Sequence, residues 1–241
     1  RGCAVPSWPA APELLGKPTP RVDGPAKATG RARYTYDIHR PGMLYARILR
    51  SPHAHARVRS IDLSAAEKAP GVKAVLPIVD LSKPETAVVR YQGEEIAAVA
   101  AETEEQARDA VRLIKVDYEV LPHLATVEQA MRPEAPRVFP EGNVRAGSVE
   151  EEGDIEAGFK AAAHIVEGVY STQVQTHVCL ETHGCVCEWE GDRLTAWVST
   201  QAVHGTREGF AKALGIPQAN VRVITEYMGG GFGSKFGPDV Q

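Results

Sequence analysis

The stretch EYMGGGFGSKFG, residues 226–237, places five glycines within nine residues, directly after the strand-like run VRVITEYM. Because glycine has no side chain, such a loop lets the backbone come very close to a bulky group and presents consecutive N–H groups to an anion. A tight structural turn is the alternative interpretation of the same residues. The surrounding sequence has to distinguish the two.

The two best-known glycine motifs do not match this stretch. A P-loop requires GxxxxGK followed by Ser or Thr, whereas Ser234 here separates Gly233 from Lys235 and Phe236 follows the lysine. A dinucleotide-binding GxGxxG motif requires a third glycine where Ser234 stands, and an acidic residue about 20 positions later that the sequence does not contain. An independent nucleotide-binding module is therefore a weak alternative, and we expect no measurable affinity of the isolated chain for ATP or NAD.

Composition places the chain among ordinary globular proteins, with 241 residues of which 43% are hydrophobic and 24% are charged. The longest purely apolar stretch, residues 96–101, is far shorter than the roughly 20 residues that span a bilayer, so no membrane span is predicted. The formal net charge of −4 argues against a nucleic-acid binder. We expect the cytoplasm as the compartment, with the periplasm as the alternative.

Two local features leave alternatives open. Between residues 17 and 59, ten lysines and arginines are accompanied only by Asp23 and Asp37, which predicts a solvated basic surface or a docking face for an acidic partner. The cysteines are Cys3, Cys179, Cys185 and Cys187, and none forms a CxxC pair. We interpret them as small buried apolar residues, with redox or metal chemistry as the alternative.

Secondary-structure signals divide the chain into two units after a proline-rich arm. Strands are predicted at residues 44–50, 72–79, 94–101 and 114–121. Capping boxes predict helix starts at Ser64 with Glu67 and at Thr103 with Gln106, the second helix ending near Leu113. Residues 131–150 hold three prolines and two glycines without periodicity, which is typical of a linker.

The second unit continues this mixed pattern. Asp154 is predicted to cap a helix, and residues 165–175, 184–191 and 193–200 alternate as half-buried strands do. A further helix over residues 201–215 ends at Gly215, and the strand of residues 221–228 then leads into the glycines.

Seven fragments occur in a fixed order along the chain: RVDGPAKATGRARYTYDI (21–38), PGMLYARILRSPHAHARVRSIDLSAAEKAPGVKAVL (41–76), YQGEEIAAVAAET (91–103), VDYEVLP (116–122), LETHG (180–184), STQ (199–201) and GGGFGSK (229–235). Through them the chain resembles the molybdenum-binding large subunit of the xanthine dehydrogenase and aldehyde oxidase family of molybdenum hydroxylases. The resemblance extends from Gly16 to about Lys235. It implies an α+β fold in which an α/β hammerhead domain (25–130) precedes the first part of a molybdopterin-binding domain (151–241). The proline and glycine content separately predicts the extended arm (1–24) and the linker (131–150).

The resemblance also implies a cofactor. Molybdenum in this family is held by the dithiolene of a pterin, whose phosphate or dinucleotide tail, the cytosine dinucleotide form included, requires backbone donors around it. The implied cofactor-binding residues are Gln201, Gly229, Gly230, Gly231, Phe232 and Gly233. Gln201 matches the glutamine whose amide reaches an apical ligand of the metal, and Phe232 matches a position whose backbone meets the molybdenum sphere. For Gln201 alone, capping of the following helix is the alternative.

Partners and chemistry follow from the same resemblance. The family's catalytic glutamate base lies in a more C-terminal region that the chain lacks, so no catalytic residue is expected within it. We expect a fragment, or one half of a split large subunit completed by a polypeptide with the remaining molybdopterin domain. Such an enzyme hydroxylates a substrate carbon with water and passes electrons to an iron–sulfur (2Fe–2S) small subunit and a FAD-binding medium subunit. A non-catalytic assembly or scaffold subunit is the rival interpretation, which the basic residues would suit.

One departure from the family pattern bears on the substrate. Xanthine-oxidising members carry a carboxylate directly after the lysine of the glycine motif, where it bonds the purine, but this chain has Phe236. We therefore expect an aldehyde or an aromatic N-heterocycle rather than a purine.

The histidines are weaker candidates. His53 and His55 match a structural motif of the hammerhead domain rather than a metal pair. His177 and His183, together with Glu181, predict a buried hydrogen-bond network, with acid–base chemistry as the alternative. His204 lies one helical turn beyond Gln201 and is expected to support it.

Overall fold

The computed structural model describes residues 13–83 and 87–238, so Cys3 and the first half of the predicted arm lie outside the described residues. The helices are α1 (Gly24–Ala28), α2 (Ser64–Glu67), α3 (Glu104–Val111), α4 (Val127–Ala130), α5 (Ile155–Ala161) and α6 (Val203–Leu214). The strands are β1 (Tyr45–Arg50), β2 (Ala56–Asp62), β3 (Val72–Pro77), β4 (Val88–Val89), β5 (Glu95–Ala101), β6 (Lys115–Val120), β7 (Cys185–Glu190), β8 (Arg193–Val198) and β9 (Val221–Ile224). Within these described residues, no helix combines the length and the hydropathy that a bilayer span requires.

The chain divides into two compact units. One is Arg40–Gln173, and the other joins Arg1–His39 to Val174–Gln241 and is called the glycine-loop unit below. Both units combine helices with sheets, and every described strand pair except β8–β9 is antiparallel, which confirms the predicted α+β class. Residues 25–39, which are part of the predicted hammerhead domain, belong to the glycine-loop unit. The four-part division at residues 24, 130 and 150 stays a prediction.

Two antiparallel sheets build the Arg40–Gln173 unit, with strand orders β1-β5-β3 and β4-β2-β6. β5 pairs on both edges, and its alanines leave room for α3, whose Ala110 lies in the same core cluster as Ala97 and Val99. Ile96 belongs to the second core cluster of this unit, with Val58 and Val89. The prediction of a buried strand over residues 94–101 is confirmed, whereas β2 and β4 were not predicted.

Ile96 offers a direct measure of this core, because its side chain is fully buried. Ile96→Ala is expected to lower the free energy of unfolding by about 2–5 kcal/mol, since it removes buried methyl groups and leaves a cavity. Chemical denaturation of the full chain measures the loss. Leu76→Ala on the neighbouring strand is the control, because Leu76 is 63% exposed. Equal losses for the two variants would contradict the assignment of β5 as the central core strand.

Of the three predicted helix N-caps, those at Thr103 and Asp154 are confirmed and the one at Ser64 is wrong. Thr103 and Gln106 form both bonds of the capping box, at 3.2 and 3.1 Å, and Asp154 caps α5 through the N–H of Ala157 at 2.9 Å. The predicted capping box at Ser64 is wrong, because α2 begins at Ser64 itself and Leu63 is its N-cap. The acceptor for the Ser64 N–H is instead the carboxylate of Asp62 at 3.0 Å.

A mixed three-stranded sheet, β7-β8-β9, organises the glycine-loop unit. β7 and β8 form an antiparallel hairpin, and α6 connects β8 to its parallel neighbour β9. Phe210 and Ala211 of α6 pack on Leu194, Ala196 and Val221 of the sheet. The predicted left-handed helix stop is confirmed, since Gly215 has φ +66°.

The predicted strand over residues 165–175 is wrong. No regular structure is present there, and Val166, Val169, Tyr170 and Val174 are all strongly exposed. A strand is stable only when a neighbour takes up its backbone hydrogen bonds, and among the described strands none pairs with this segment. Alternation alone was therefore insufficient evidence.

The basic residues between 17 and 59 are largely neutralised by ion pairs. At least six of the ten have a carboxylate partner, in the pairs Arg21–Asp23, Lys27–Asp23, Arg47–Glu104, Arg50–Glu95, Arg57–Glu119 and Arg59–Glu119. Surface pairs contribute little stability, but they reduce the positive potential that would attract an acidic partner. The observation that suited a scaffold subunit is thereby weakened.

Candidate functional site

Three chain segments meet at one edge of the β7-β8-β9 sheet. β8 and β9 are parallel neighbours, so residues 199–202 and 225–235, which follow them, leave the sheet at the same edge. β7 is antiparallel to β8, so residues 177–184 reach that edge as well, where the Ser199 N–H donates to the Gly184 carbonyl at 3.1 Å. Ligands of α/β sheets commonly bind beyond the carboxyl ends of parallel strands. This edge is therefore the candidate site.

Gln201 lies between β8 and α6, and its side chain contacts the glycine loop, defined here as residues 229–235. Its Oε1 accepts hydrogen bonds from the N–H groups of Gly233 at 3.0 Å and Lys235 at 3.3 Å. Because both partners are donors, the amide oxygen must face them, which turns the NH₂ group away with its two donors. Ala202 is the N-cap of α6 and no side chain caps it, so the capping alternative for Gln201 is wrong.

Two glycines are required by this packing. A Cβ on Gly231 would lie 2.4 Å from Cδ and Oε1 of Gln201, and one on Gly229 would lie 2.5 Å from Cβ of Glu181. Real Cβ atoms do not come so close to other heavy atoms. These glycines thus permit the close approach of Gln201 and Glu181, a reason that differs from the predicted close approach of a ligand.

The middle of the glycine loop leaves three backbone donors free. Among the described residues, the N–H groups of Gly230, Gly231 and Phe232 have no hydrogen-bond partner. Gly231 is a buried residue, and buried N–H groups are nearly always paired. Gly230 and Phe232 have φ values of +104° and +50°, so Phe232 adopts a conformation that non-glycine residues seldom accept. Successive free N–H groups in such turns bind anions.

Polar side chains flank the glycine loop. The Nε2 of His183 lies 3.1 Å from the Ser234 carbonyl, and Sγ of Cys179 lies 3.8 Å from Oγ of Ser234. Glu181 accepts hydrogen bonds from Ser199 and from the loop's first N–H group. The predicted buried network is therefore only partly right: Glu181 has one, but His177 and His183 are exposed, and among the described residues no hydrogen bond joins either histidine to Glu181.

The structure does not bring every candidate to the site. His204 is exposed, and among the described residues it makes no hydrogen bond or ring contact with Gln201, so the expected support is not observed. His53 stacks edge-on against Tyr118 in the Arg40–Gln173 unit, with ring centroids 4.9 Å apart, and Nδ1 of His55 lies 2.6 Å from the Pro122 carbonyl. These contacts confirm the structural interpretation of the two histidines.

The two cysteines of β7, Cys185 and Cys187, are free thiols that lie next to each other. The Cys187 thiol donates to Sγ of Cys185 at 3.8 Å, which lowers the pKa of Cys185 and raises that of Cys187. Cys185 packs against the core, as predicted, but Cys187 is exposed. Within residues 13–83 and 87–238, no group of three or more His, Cys, Asp or Glu side chains is arranged to hold a metal ion.

Sequence reasoning missed Lys235 as a buried residue, although its side chain is only 1% exposed. Lysine is almost never fully buried without a partner. Its partner Glu181 lies 54 positions earlier in the chain, and no local pattern connects the two. The available signal was that the glutamate of LETHG and the lysine of GGGFGSK both lie in short glycine-containing fragments.

Family models match both parts of the sequence. The model of the aldehyde oxidase and xanthine dehydrogenase a/b hammerhead domain matches residues 29–122. The model of the molybdopterin cofactor-binding domain matches residues 138–240, which include the whole candidate site.

Curated relatives and solved structures agree with these matches. The chain is 37% identical over 239 residues to the aldehyde oxidoreductase molybdenum-binding subunit PaoC of Escherichia coli K12, covering 92% of this chain and 31% of PaoC. It is 36% identical over 244 residues to the nicotinate dehydrogenase large molybdopterin subunit of Eubacterium barkeri, covering 95% of this chain and 57% of that subunit. Quinoline 2-oxidoreductase from Pseudomonas putida 86 matches the fold with a TM-score of 0.76 at 32% identity, over 91% of this chain and 31% of its own.

Proposed function

Because the chain belongs to the xanthine dehydrogenase and aldehyde oxidase family of molybdenum hydroxylases, we propose that its glycine-loop unit holds the molybdenum cofactor of such an enzyme. The observation that carries the proposal is the convergence of Gln201 and the glycine loop at one sheet edge. That edge presents the amide NH₂ group of Gln201 and three backbone N–H groups. Among the described residues, no side chain accepts a hydrogen bond from those three N–H groups.

The residues present fit the cofactor as a ligand. A pterin with a phosphate or dinucleotide tail is bulky and anionic, and the N–H groups of Gly230, Gly231 and Phe232 are donors of the kind that bind anions. The buried Gly231 needs a partner for its N–H, which a bound ligand would provide. Whether the tail is the cytosine dinucleotide form is a finer part of the same proposal.

The residues of this chain bind and orient rather than react. Gln201 would donate its NH₂ group to a ligand of the metal, and an amide remains neutral at physiological pH, so it donates without losing a proton. Its oxygen, bound to Gly233 and Lys235, keeps the amide in a single orientation. When bound, the molybdenum cofactor supplies the redox chemistry that hydroxylates a substrate carbon with water as the oxygen source.

The substrate is proposed to be an aldehyde or an aromatic N-heterocycle. Phe236, which follows the lysine of the glycine loop, is 60% exposed and offers neither a charge nor a hydrogen bond to a purine. The relatives include an aldehyde oxidoreductase and a nicotinate dehydrogenase, and a structural neighbour is a quinoline oxidoreductase. Xanthine dehydrogenase subunits are also among the relatives, so Phe236 rather than these names carries the proposed substrate class.

The active assembly is proposed to contain further polypeptide. The chain spans 31% of PaoC and 57% of the nicotinate dehydrogenase subunit, and the relatives are described as subunits. We propose that the remaining molybdopterin-domain sequence, which carries the catalytic glutamate, completes the site. Iron–sulfur (2Fe–2S) and FAD subunits would receive the electrons, in an enzyme that we expect in the cytoplasm.

Elemental analysis tests the proposal directly. The native complex is purified through a tag on this chain, and molybdenum and iron are counted per copy. We expect about one molybdenum per copy and iron in multiples of two, since the cofactors carry the redox chemistry. An intact complex that contains neither metal would contradict the proposal and favour the scaffold interpretation.

A further inference from the structure

Lys235 ends the glycine loop with its ammonium group fully buried. The Nζ donates to Oγ of Ser199 at 2.6 Å and to the carbonyl of Glu181 at 2.8 Å, and it lies 3.8 Å from Oε2 of Glu181. An ammonium group has three N–H donors. Two of these donors make hydrogen bonds and the carboxylate supplies an ion-pair contact, so the side chain points into the protein rather than out of the loop.

Glu181 binds the opposite end of the same loop. Its Oε2 accepts from the N–H of Gly229 at 2.6 Å and from Oγ of Ser199 at 2.8 Å, while Oε1 accepts from the N–H of Thr35 at 3.2 Å. Only 9% of its side chain is exposed. The first and last residues of the glycine loop are thus connected to one carboxylate, directly at Gly229 and through the ion pair at Lys235.

The backbone of Lys235 is hydrogen-bonded to Gln201, so the position of Gln201 depends on that of Lys235. Its N–H donates to Oε1 of Gln201 at 3.3 Å, and its carbonyl accepts from the backbone N–H of Gln201 at 2.8 Å. The same carbonyl also accepts from Oγ of the buried Thr200 at 3.1 Å. A displacement of Lys235 would therefore displace the amide group that faces the candidate site.

We propose that Lys235 and Glu181 are positioning residues, whose buried ion pair holds the glycine loop so that the Gln201 amide and the free N–H groups keep their places. The relevance of this to the cofactor rests on the proposed function, but the positioning itself does not. Lys235 is not a phosphate ligand in this proposal, in contrast to the lysine of a P-loop, because its ammonium group is buried against Ser199 and Glu181.

A buried ion pair usually adds little to the free energy of unfolding. Replacing both charged groups by well-packed neutral ones is often neutral or stabilising, whereas removing one partner leaves an unpaired buried charge. A specific arrangement is what the pair does provide, because each of its hydrogen bonds has a fixed direction. Both members of the pair, and two of the groups bonded to it, Gly229 and Ser199, belong to segments that meet at the candidate site.

The test is amide hydrogen exchange of the full 241-residue chain, read residue by residue by NMR. In Lys235→Met, which keeps a long unbranched side chain but no donor, we expect the amides of Gly229, Gly233 and Lys235 to exchange about tenfold faster or more. Amides of β5 and of α6 are expected to keep their protection. Lys212→Met, at an exposed position of α6, is the matched control.

A second pair of variants separates positioning from general destabilisation. Glu181→Gln leaves the ammonium without its counter-charge, so we expect it to disturb the glycine loop more than Glu181→Gln/Lys235→Met does, since the double variant buries no charge. Equal loss of protection throughout β7, β8, β9 and α6 in Lys235→Met would show a purely structural lysine and overturn the proposal. Unchanged exchange in the glycine loop would also overturn it.

Molybdenum content provides the link to function. If the native complex carries molybdenum, its content per copy should fall in Lys235→Met and remain unchanged in Lys212→Met. If the unmodified complex carries none, the proposed function fails while the exchange result still decides the positioning role. The two proposals can therefore fail separately.

Discussion

Replacing Gly231 by alanine is expected to remove most of the bound molybdenum from the native complex. The new methyl group would lie 2.4 Å from the Gln201 amide, so either Gln201 or the loop backbone has to move. Overpacking of this kind costs roughly 1–3 kcal/mol, which corresponds to about a 5-fold to 150-fold weaker retention of a ligand that needs the original geometry. Molybdenum per copy, measured by elemental analysis, reports the effect.

Gly184→Ala is the matched control for this variant. Gly184 lies in the same unit, has no unusual φ, and a Cβ there would meet nothing within 4 Å. It should retain its molybdenum. A Gly231→Ala complex with full molybdenum content would show that the position of Gln201 does not govern cofactor binding, and it would withdraw the central observation of the proposed function.

Replacing Gln201 by glutamate is expected to separate the two roles of this side chain. A carboxylate can still accept the N–H groups of Gly233 and Lys235, so the glycine loop should keep its amide protection. The NH₂ donors are lost, and removal of one well-placed donor from a catalytic site typically lowers kcat about 10²-fold or more. Turnover of an aromatic aldehyde by the native complex, normalised to molybdenum content, measures the loss.

Two companion variants complete this test. Gln201→Leu removes both the acceptor and the donors, so the loop amides should lose protection as well as activity. Gln218→Glu, an exposed position beyond α6, is the control and should leave both unchanged. Full turnover in Gln201→Glu would contradict a donor role for Gln201 and would leave it only a place in the packing of the loop.

Elements with a strong local pattern were predicted correctly from the sequence. The apolar run of β5, the capping box of α3, the Asp154 cap of α5 and the glycine stop of α6 all depend on residues within a few positions of one another. Local signals of this kind determine backbone conformation directly. The secondary-structure predictions were wrong where the conformation depends on a partner far away in the sequence. Residues 165–175 alternate like a strand but have no neighbouring strand among those described.

In the candidate site, too, the sequence indicated the residues but not the contacts between distant segments. The residues expected there from the family resemblance, Gln201 and the glycines from 229 to 233, lie at one sheet edge, although their role as cofactor ligands stays a proposal. The reason for the glycines was not predicted, because it depends on Gln201 and Glu181 occupying the space of their missing side chains. The ion pairs of the basic residues could not be predicted from the sequence either, because several of their carboxylate partners lie on other helices and strands.

The sequence by itself determined the family, the types of most helices and strands, and the residues that are proposed for the site, because ordered fragments and short-range periodicity are present in the chain before it folds. Only the tertiary structure decided which of these residues contact one another. Gln201 meets Gly233 across 32 positions and Lys235 meets Glu181 across 54. Both contacts exist because β8 and β9 run parallel and β7 antiparallel, which delivers three separate loops to the same edge of one sheet.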